Sequence, residues 1–224
     1  DAEADDNFGA ALASGDFDND GFVDLAIGAP GEDGKGLNNV GVVHVLYGSA
    51  AGLDSTGAQL WHQDIAGVLD RIDNGDRFGY ALASGDFDND GFADLAIGVA
   101  GENVAGASEA GAVTVLFGGA GAGLTSAGDE FWHQNVDGVL DTAEVDDRFG
   151  TVLVSGDFNN DGRADLAVGI PFENIGGADA GAVAVLPGSN GGLRAGPDQF
   201  WHQNRPGITD GCEGDDNFGA GNAS

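Results

Sequence analysis

Three stretches of this 224-residue chain concentrate its polar chemistry. Asp16-Phe17-Asp18-Asn19-Asp20-Gly21-Phe22-Val23-Asp24 returns as Asp86-Phe87-Asp88-Asn89-Asp90-Gly91-Phe92-Ala93-Asp94. It returns again as Asp157-Phe158-Asn159-Asn160-Asp161-Gly162-Arg163-Ala164-Asp165. Acidic or amide side chains stand at the first, third, fifth and ninth places, and glycine at the sixth. A short loop wraps oxygens around a hard cation in this way: alternate side chains turn inward, a backbone carbonyl adds a ligand, and glycine takes the sharp bend. The carbonyls so offered belong to Phe22, Phe92 and Arg163. The oxygen-only donor set suits calcium better than magnesium, which demands a tight octahedron and keeps its waters. No run of Cys or His points to a softer metal. The simpler reading of one copy is a solvated, Asx-rich turn without metal; three copies in register favour the metal, one ion per complete repeat and about three in all.

The flanks of the loops are not helical. An EF-hand has an entering helix and closes on a glutamate at its twelfth place. Here that place holds Ile27, Ile97 or Val168, and Gly15, Gly85 and Gly156 stand just before the loops. Ala11-Leu12-Ala13-Ser14 before the first loop and Leu25-Ala26-Ile27-Gly28 after it are short and strand-like. Each loop therefore reads as the connection of a β-hairpin.

Internal repetition sets the rest of the architecture. Phe-Gly pairs fall at Phe8-Gly9, Phe78-Gly79, Phe149-Gly150 and Phe218-Gly219, at spacings of 70, 71 and 69 residues. After each hairpin comes a variable Gly-rich loop (35–39 in the first copy, 104–110 in the second). A third segment follows: Gly41-Val42-Val43-His44-Val45-Leu46-Tyr47-Gly48, matched by 111–118 and 181–188. Last comes Gln59-Leu60-Trp61-His62-Gln63, matched by Phe131-Trp132-His133-Gln134 and Phe200-Trp201-His202-Gln203. This predicts four strands of about five to seven residues per repeat and no helix. In the third segment Val43, Val45 and Tyr47 alternate with Val42, His44 and Leu46, so both faces are largely apolar, as in a sheet held between neighbours. Four-stranded sheets stacked side by side are propeller blades.

The Phe-Gly pair, the Gly-Asp-Phe-Asp-Asn-Asp-Gly-x-x-Asp-Leu-Ala-Ile-Gly run and Gly28-Ala29-Pro30, in that order, resemble the FG-GAP repeat of integrin α-subunit heads and of many secreted bacterial proteins. The resemblance covers essentially the whole chain. It implies an all-β fold of β-propeller blades, each of four antiparallel strands, in a propeller usually of seven blades. It also implies calcium in the hairpin loop between a blade's first and second strands. Carried over, the ligands are Asp16, Asp18, Asp20, Phe22 and Asp24; Asp86, Asp88, Asp90, Phe92 and Asp94; and Asp157, Asn159, Asp161, Arg163 and Asp165. The chain departs from the motif at Gly98-Val99-Ala100 and Gly169-Ile170-Pro171, and Asn159 replaces an aspartate. The recurrent Trp-His-Gln is closer to bacterial members.

The whole chain, 1–224, then reads as one propeller segment: repeats 8–77, 78–148 and 149–217, with the start of a fourth at 218–224. Three blades cannot close a ring, since propellers use about four to eight. Either a longer chain or copies of this one would supply further blades. Asp1 as first residue and the lack of methionine suggest a mature or excised piece.

Composition bounds the partners. Seven basic residues face 38 acidic ones, a net charge of −31. Eleven of those acids are the loop aspartates (four, four and three), which bound divalent ions would offset. The remaining excess repels nucleic acid and anionic membranes. No apolar run approaches the ~20 residues of a membrane-spanning helix. Cys212 is the lone cysteine; beside Asp210, Glu213 and Asp215 it has no cation to activate it.

No catalytic or cofactor-binding signature is present among the familiar hydrolase, nucleotide and zinc motifs. His62, His133 and His202 occupy equivalent places in different blades, so packing is expected rather than one convergent site. Trp61, Trp132 and Trp201 read as wedges between blades; sugar-stacking platforms are the competing reading. The sequence thus points to an extracellular or cell-surface, non-enzymatic, calcium-binding propeller used in adhesion or protein binding, its protein or glycan ligand unidentified. A carbohydrate-binding lectin, or the accessory propeller of a secreted hydrolase, is the alternative.

Overall fold

The computed structural model describes residues 3–121, 123–176, 179–196, 199–209, 211–214 and 216–221. They form three four-stranded antiparallel sheets in chain order, which are propeller blades. Blade one holds β1 (Ala11–Gly15), β2 (Asp24–Ala29), β3 (Val42–Tyr47) and β4 (Asp54–Trp61). Blade two holds β5 (Phe78–Gly85), β6 (Asp94–Val99), β7 (Ala112–Phe117) and β8 (Thr125–Trp132). Blade three holds β9 (Val152–Gly156), β10 (Asp165–Ile170), β11 (Ala182–Leu186) and β14 (Gln199–Trp201), with β12 (Gly188–Ser189) and β13 (Gly192–Leu193) as a side hairpin. No helix occurs among the described residues.

The fourth strands differ from the expected length. β4 and β8 have eight residues, reached through a register shift opposite β3 (between Val45 and Tyr47) and β7 (between Val115 and Phe117). In blade three β11 stops at Leu186, before Pro187, which has no N–H to give to a ladder. The chain there turns into the β12–β13 hairpin, and β14 pairs with β11 over Val183–Val185.

The core lies between blades rather than within one. Ala26, Val43, Val45 and Trp61 of blade one meet Leu82, Leu95, Ile97 and Leu116 of blade two in one cluster. Ala96, Val113, Val115 and Trp132 of blade two meet Leu153, Leu166, Val168 and Phe200 in the other. The alternation of β3 and β7 is thus satisfied on both faces where a neighbour is present. Val43, Val45, Val113 and Val115 are fully buried, whereas Val183 on the outer face of blade three is only partly covered.

The repeat motif has a direct physical role here. The second, third and fourth Phe-Gly pairs dock on the preceding blade: the N–H groups of Phe78, Phe149 and Phe218 donate to the carbonyls of Val40, Ala110 and Ala180 at 3.0, 2.8 and 2.9 Å. The carbonyl of the paired glycine then lies against a glycine of the second strand. A Cβ on Gly28 or Gly98 would fall 2.2 Å from the oxygen of Gly79 or Gly150. Two backbones touch without side chains between them, so both partners must be glycine. Residues 216–221 repeat this docking on blade three; Asp215, and 222–224 of the expected fourth repeat, lie outside the described residues.

Candidate metal centres

Each acidic loop connects the first two strands of its blade, β1 to β2, β5 to β6 and β9 to β10, as the flanks predict. The turn is built by the aspartates themselves. Asp16 takes the N–H groups of Asp20 and Gly21 on its two carboxylate oxygens, both at 3.0 Å, and Asp20 takes that of Phe22 at 2.8 Å. The second and third loops repeat these bonds from Asp86, Asp90, Asp157 and Asp161. Left-handed backbone recurs at Asn19, Asn89 and Asn160 (φ 55, 62 and 60) and at the glycine two places later. Asn tolerates that conformation better than most residues, and glycine takes it freely.

The carboxylates converge. Ligand atoms of Asp16, Asp18 and Asp24 lie within 4.8 Å of one another, as do those of Asp86, Asp88 and Asp90. No comparable acidic triplet forms in the third loop, where the Asn159 amide donates to Asp165 at 3.2 Å. Arg163 also bends back to within 3.5 Å of Asp161, and its guanidinium is held by Asn190 at 2.8 and 3.0 Å.

The ninth-place aspartate has a second role that spacing alone did not reveal. Asp24, Asp94 and Asp165 are buried, and each clamps two backbone N–H groups: those of Phe17 and Gly48, Phe87 and Gly118, and Phe158 and Gly188. It ties its loop to the end of the third strand. Burial pushes the Asp94 carboxyl up to about 7 and raises Asp24, in both cases against the pull of those N–H donors. Burial, with Asp90 beside it, raises Asp88 as well. Every bonded carboxylate oxygen keeps a second lone pair, so a divalent cation fits the first two loops and would relieve their repulsion. Phe22, Phe92 and Arg163 sit at the carbonyl-donating place of the same turns.

The loops also meet the neighbouring blade. Phe17 and Phe87 are fully buried between blades, and the carbonyls of Asp16 and Asp86 accept the N–H groups of Ala93 and Ala164 at 3.2 Å. A loop that loses its shape therefore disturbs a blade junction.

The other singled-out residues play parts in packing. Trp61 and Trp132 are buried, and their indole N–H groups donate to Gln59 and Glu130 at 3.1 and 2.8 Å. Trp201 makes the same bond to Gln199 at 3.0 Å but is 37% exposed, on the outer face of the third sheet. His62 and His133 accept the N–H groups of Asp64 and Asn135, closing the turn after the fourth strand. Burial lowers the pKa of both and of His202, which favours the neutral form. Cys212 has His202 at 4.0 Å; Asp210 and Asp215 of its expected acidic setting lie outside the described residues.

The sequence signal overlooked a second set of acids. A Glu or Asp three places before another Asp precedes each Phe-Gly pair: Glu3 and Asp6, Asp73 and Asp76, Glu144 and Asp147, Glu213 and Asp216. In each pair the first residue's N–H donates to the second's carboxylate. Glu102 and Glu173, which follow the second strands of blades two and three, join Asp76 and Asp147 in burial. Burial raises all four, with Asp76 and Asp147 at about 6 and Glu173 at about 8.

Comparison with known proteins agrees with the repeated all-β architecture. The family model described as FG-GAP repeat matches residues 8–46, 78–116 and 149–186. The chain is 35% identical over 178 residues to phosphatidylinositol-glycan-specific phospholipase D of Bos taurus, covering 80% of this chain and 20% of that protein. It is 35% identical over 203 residues to integrin alpha-PS2 of Drosophila melanogaster, covering 88% of this chain and 13% of that protein. Integrin alpha-8 of Gallus gallus is 30% identical over 203 residues, 87% of this chain and 17% of that protein. The chain thus spans a fifth or less of the length of these relatives.

Proposed function

Because the chain belongs to the FG-GAP repeat family, we propose that it is an extracellular, calcium-stabilised propeller segment that serves adhesion or protein binding and has no catalytic role of its own. The observation that carries this reading is the convergence of Asp16, Asp18 and Asp24, and of Asp86, Asp88 and Asp90, to within 4.8 Å on turns that recur in register. Calcium would be held by the carboxylates of these loops, with the third loop completing the series. It would fix the loops, and through Phe17 and Phe87 the junctions between blades.

Binding selective for the folded state adds RT ln(1 + [L]/Kd), about 2.7 kcal/mol per site at a hundredfold excess over Kd. Extracellular modules of this type bind calcium at about 10⁻⁴ to 10⁻³ M. The melting temperature is therefore expected to rise with calcium through that range and to fall with chelator. An unchanged melting temperature after verified metal removal would sink the calcium reading.

The phospholipase D relatives favour a second reading, in which the segment is the accessory propeller of a secreted hydrolase. The two readings separate on the full-length protein: cleavage of a phosphatidylinositol-glycan by it, abolished by changes outside these repeats, would support the accessory role. Retention of immobilised protein ligands without hydrolysis would support adhesion.

A further inference from the structure

The buried acids between blades are placed at the far end of the sheets from the hairpin loops. Strand β10 runs from Asp165 at its loop to Ile170, and Glu173 follows it; six residues of strand put Glu173 about 20 Å from that loop. Gln134, at the end of blade two, reaches across and donates its amide Nε2 to Glu173 of blade three. Ligand atoms of Glu144, Asp147 and Glu173 lie within 4.8 Å of one another in the same place. Gln134, Asp147 and Glu173 are 1%, 0% and 1% exposed.

Gln134 Oε1 and Asp147 Oδ1 are both buried and both lack a hydrogen-bond donor. The junction of blades one and two has the same defect: Gln63 donates to Asp70 and Glu102 at 3.0 and 2.9 Å, while Gln63 Oε1 and Asp76 Oδ1 are buried without a donor. At both junctions the donors that reach the carboxylates are neutral amide and backbone N–H groups. The charges acting on Glu173 are those of Asp147, Asp141 and Glu144, all acidic. Arg148, next to Asp147, is turned to Glu109 at 2.8 Å and to the Phe172 ring at 5.1 Å.

We propose that the junction of blades two and three is a second kind of cation site, in which Glu144, Asp147, Glu173 and the amide oxygen of Gln134 hold a hard divalent ion that staples the two blades together. Three carboxylates and an amide oxygen are donors of the calcium type, with no nitrogen or sulfur to favour a transition metal. Orphaned Gln and Asp oxygens recur between blades one and two, beside the buried Asp76 and Glu102. Gln203 Oε1 at the far side of blade three is buried and unpartnered too. This site is separate from the hairpin loops and does not rest on their occupancy.

Equilibrium dialysis against calcium, with metal counted by emission spectroscopy, tests it on the whole chain. The wild type is expected to hold at least one ion more than its loops, and Glu173→Gln to lose that ion while keeping the rest. Gln134→Met, which keeps the length of the side chain but removes the amide oxygen, is expected to weaken the same ion about tenfold or more. A loop-disabled chain carrying Asp20→Asn, Asp90→Asn and Asp161→Asn is expected to retain calcium. Equal stoichiometry and affinity in the wild type, Glu173→Gln and Gln134→Met would overturn the proposal, as would a folded loop-disabled chain that binds none. Failure of the loop reading looks different: the loop-disabled chain would then match the wild type.

Discussion

At the scale of single residues the three loops are not equivalent. Asn159 removes one carboxylate from loop three and spends its amide on Asp165, and the Arg163 guanidinium sits 3.5 Å from Asp161, where loops one and two carry Phe22 and Phe92. A resident cation competes with calcium, so loop three is expected to be the first to empty as calcium is withdrawn. Arg163→Phe should strengthen it several-fold, and Asn159→Asp further; titration calorimetry with loop three binding most tightly in the wild type would count against this. Glu130 offers a pH test. It bonds the Trp132 indole where the other repeats use Gln59 and Gln199. Burial pushes its carboxyl from 4.5 up to about 7, against the pull of the Trp132 and Leu193 N–H donors. A carboxyl raised by folding contributes stability that is whole below its unfolded pKa and is lost as pH rises through about 7. Glu130→Gln should therefore match the wild type near pH 4 and melt higher at pH 8 by about 2–4 °C, partial exposure limiting the gain. A melting difference that does not change with pH would refute this origin.

At the scale of the element, the glycine contact between blades governs stability more than any one strand. Gly98 has ordinary backbone, yet a Cβ there would stand 2.2 Å from the Gly150 oxygen, which has no side chain to move aside. Gly98→Ala is expected to cost about 1–3 kcal/mol by overpacking. Gly191→Ala, with nothing within 4 Å of its Cβ, should be near neutral. Urea midpoints for the two variants check the pair, and equal shifts would contradict it. Much of this level was legible in the sequence, because Asp-x-Asp/Asn-x-Asp-Gly and Phe-Gly recur at nearly constant spacing and the β3 and β7 segments are largely apolar on both faces. What could not be read was partnership across blades. Nothing in the spacing of Asp24, Asp94 and Asp165 says that they clamp Gly48, Gly118 and Gly188. Nor does Gln134 announce Glu173, 39 residues on, since sheets stacked through side chains leave no periodic signal for such pairs. The shortened β11 follows from Pro187, a local signal that the repeat pattern masked.

At the scale of the molecule, blade one and blade three each present a face that elsewhere is covered. On blade one Phe8, Leu12 and Leu60 are 62%, 59% and 48% exposed, while Phe78, Phe149, Leu82 and Leu153 in the equivalent places are buried. On blade three Val154, Phe158 and Trp201 are exposed where Ala83, Phe17, Phe87, Trp61 and Trp132 are buried. These are the two halves of one internal junction, and apolar patches of this kind on soluble proteins mark contact surfaces. Further blades of a longer chain would cover both faces. Residues 1–224 alone are expected to join head to tail, the last blade of one copy on the first blade of the next, with Phe218-Gly219 giving way to the incoming Phe8-Gly9, a heterologous contact that repeats until it closes. Light scattering in millimolar calcium and 0.15 M salt should find species above 22.4 kDa that grow with concentration. Leu12→Lys spoils one half of the junction and Trp201→Lys the other, so each variant alone should run as a monomer. Mixed, they should form a capped pair, because each retains the half that the other has lost. A face-to-same-face dimer would instead survive one of the two changes untouched and gain nothing on mixing. That result, or a wild type that stays monomeric at every concentration, would rule out the complementary-face argument.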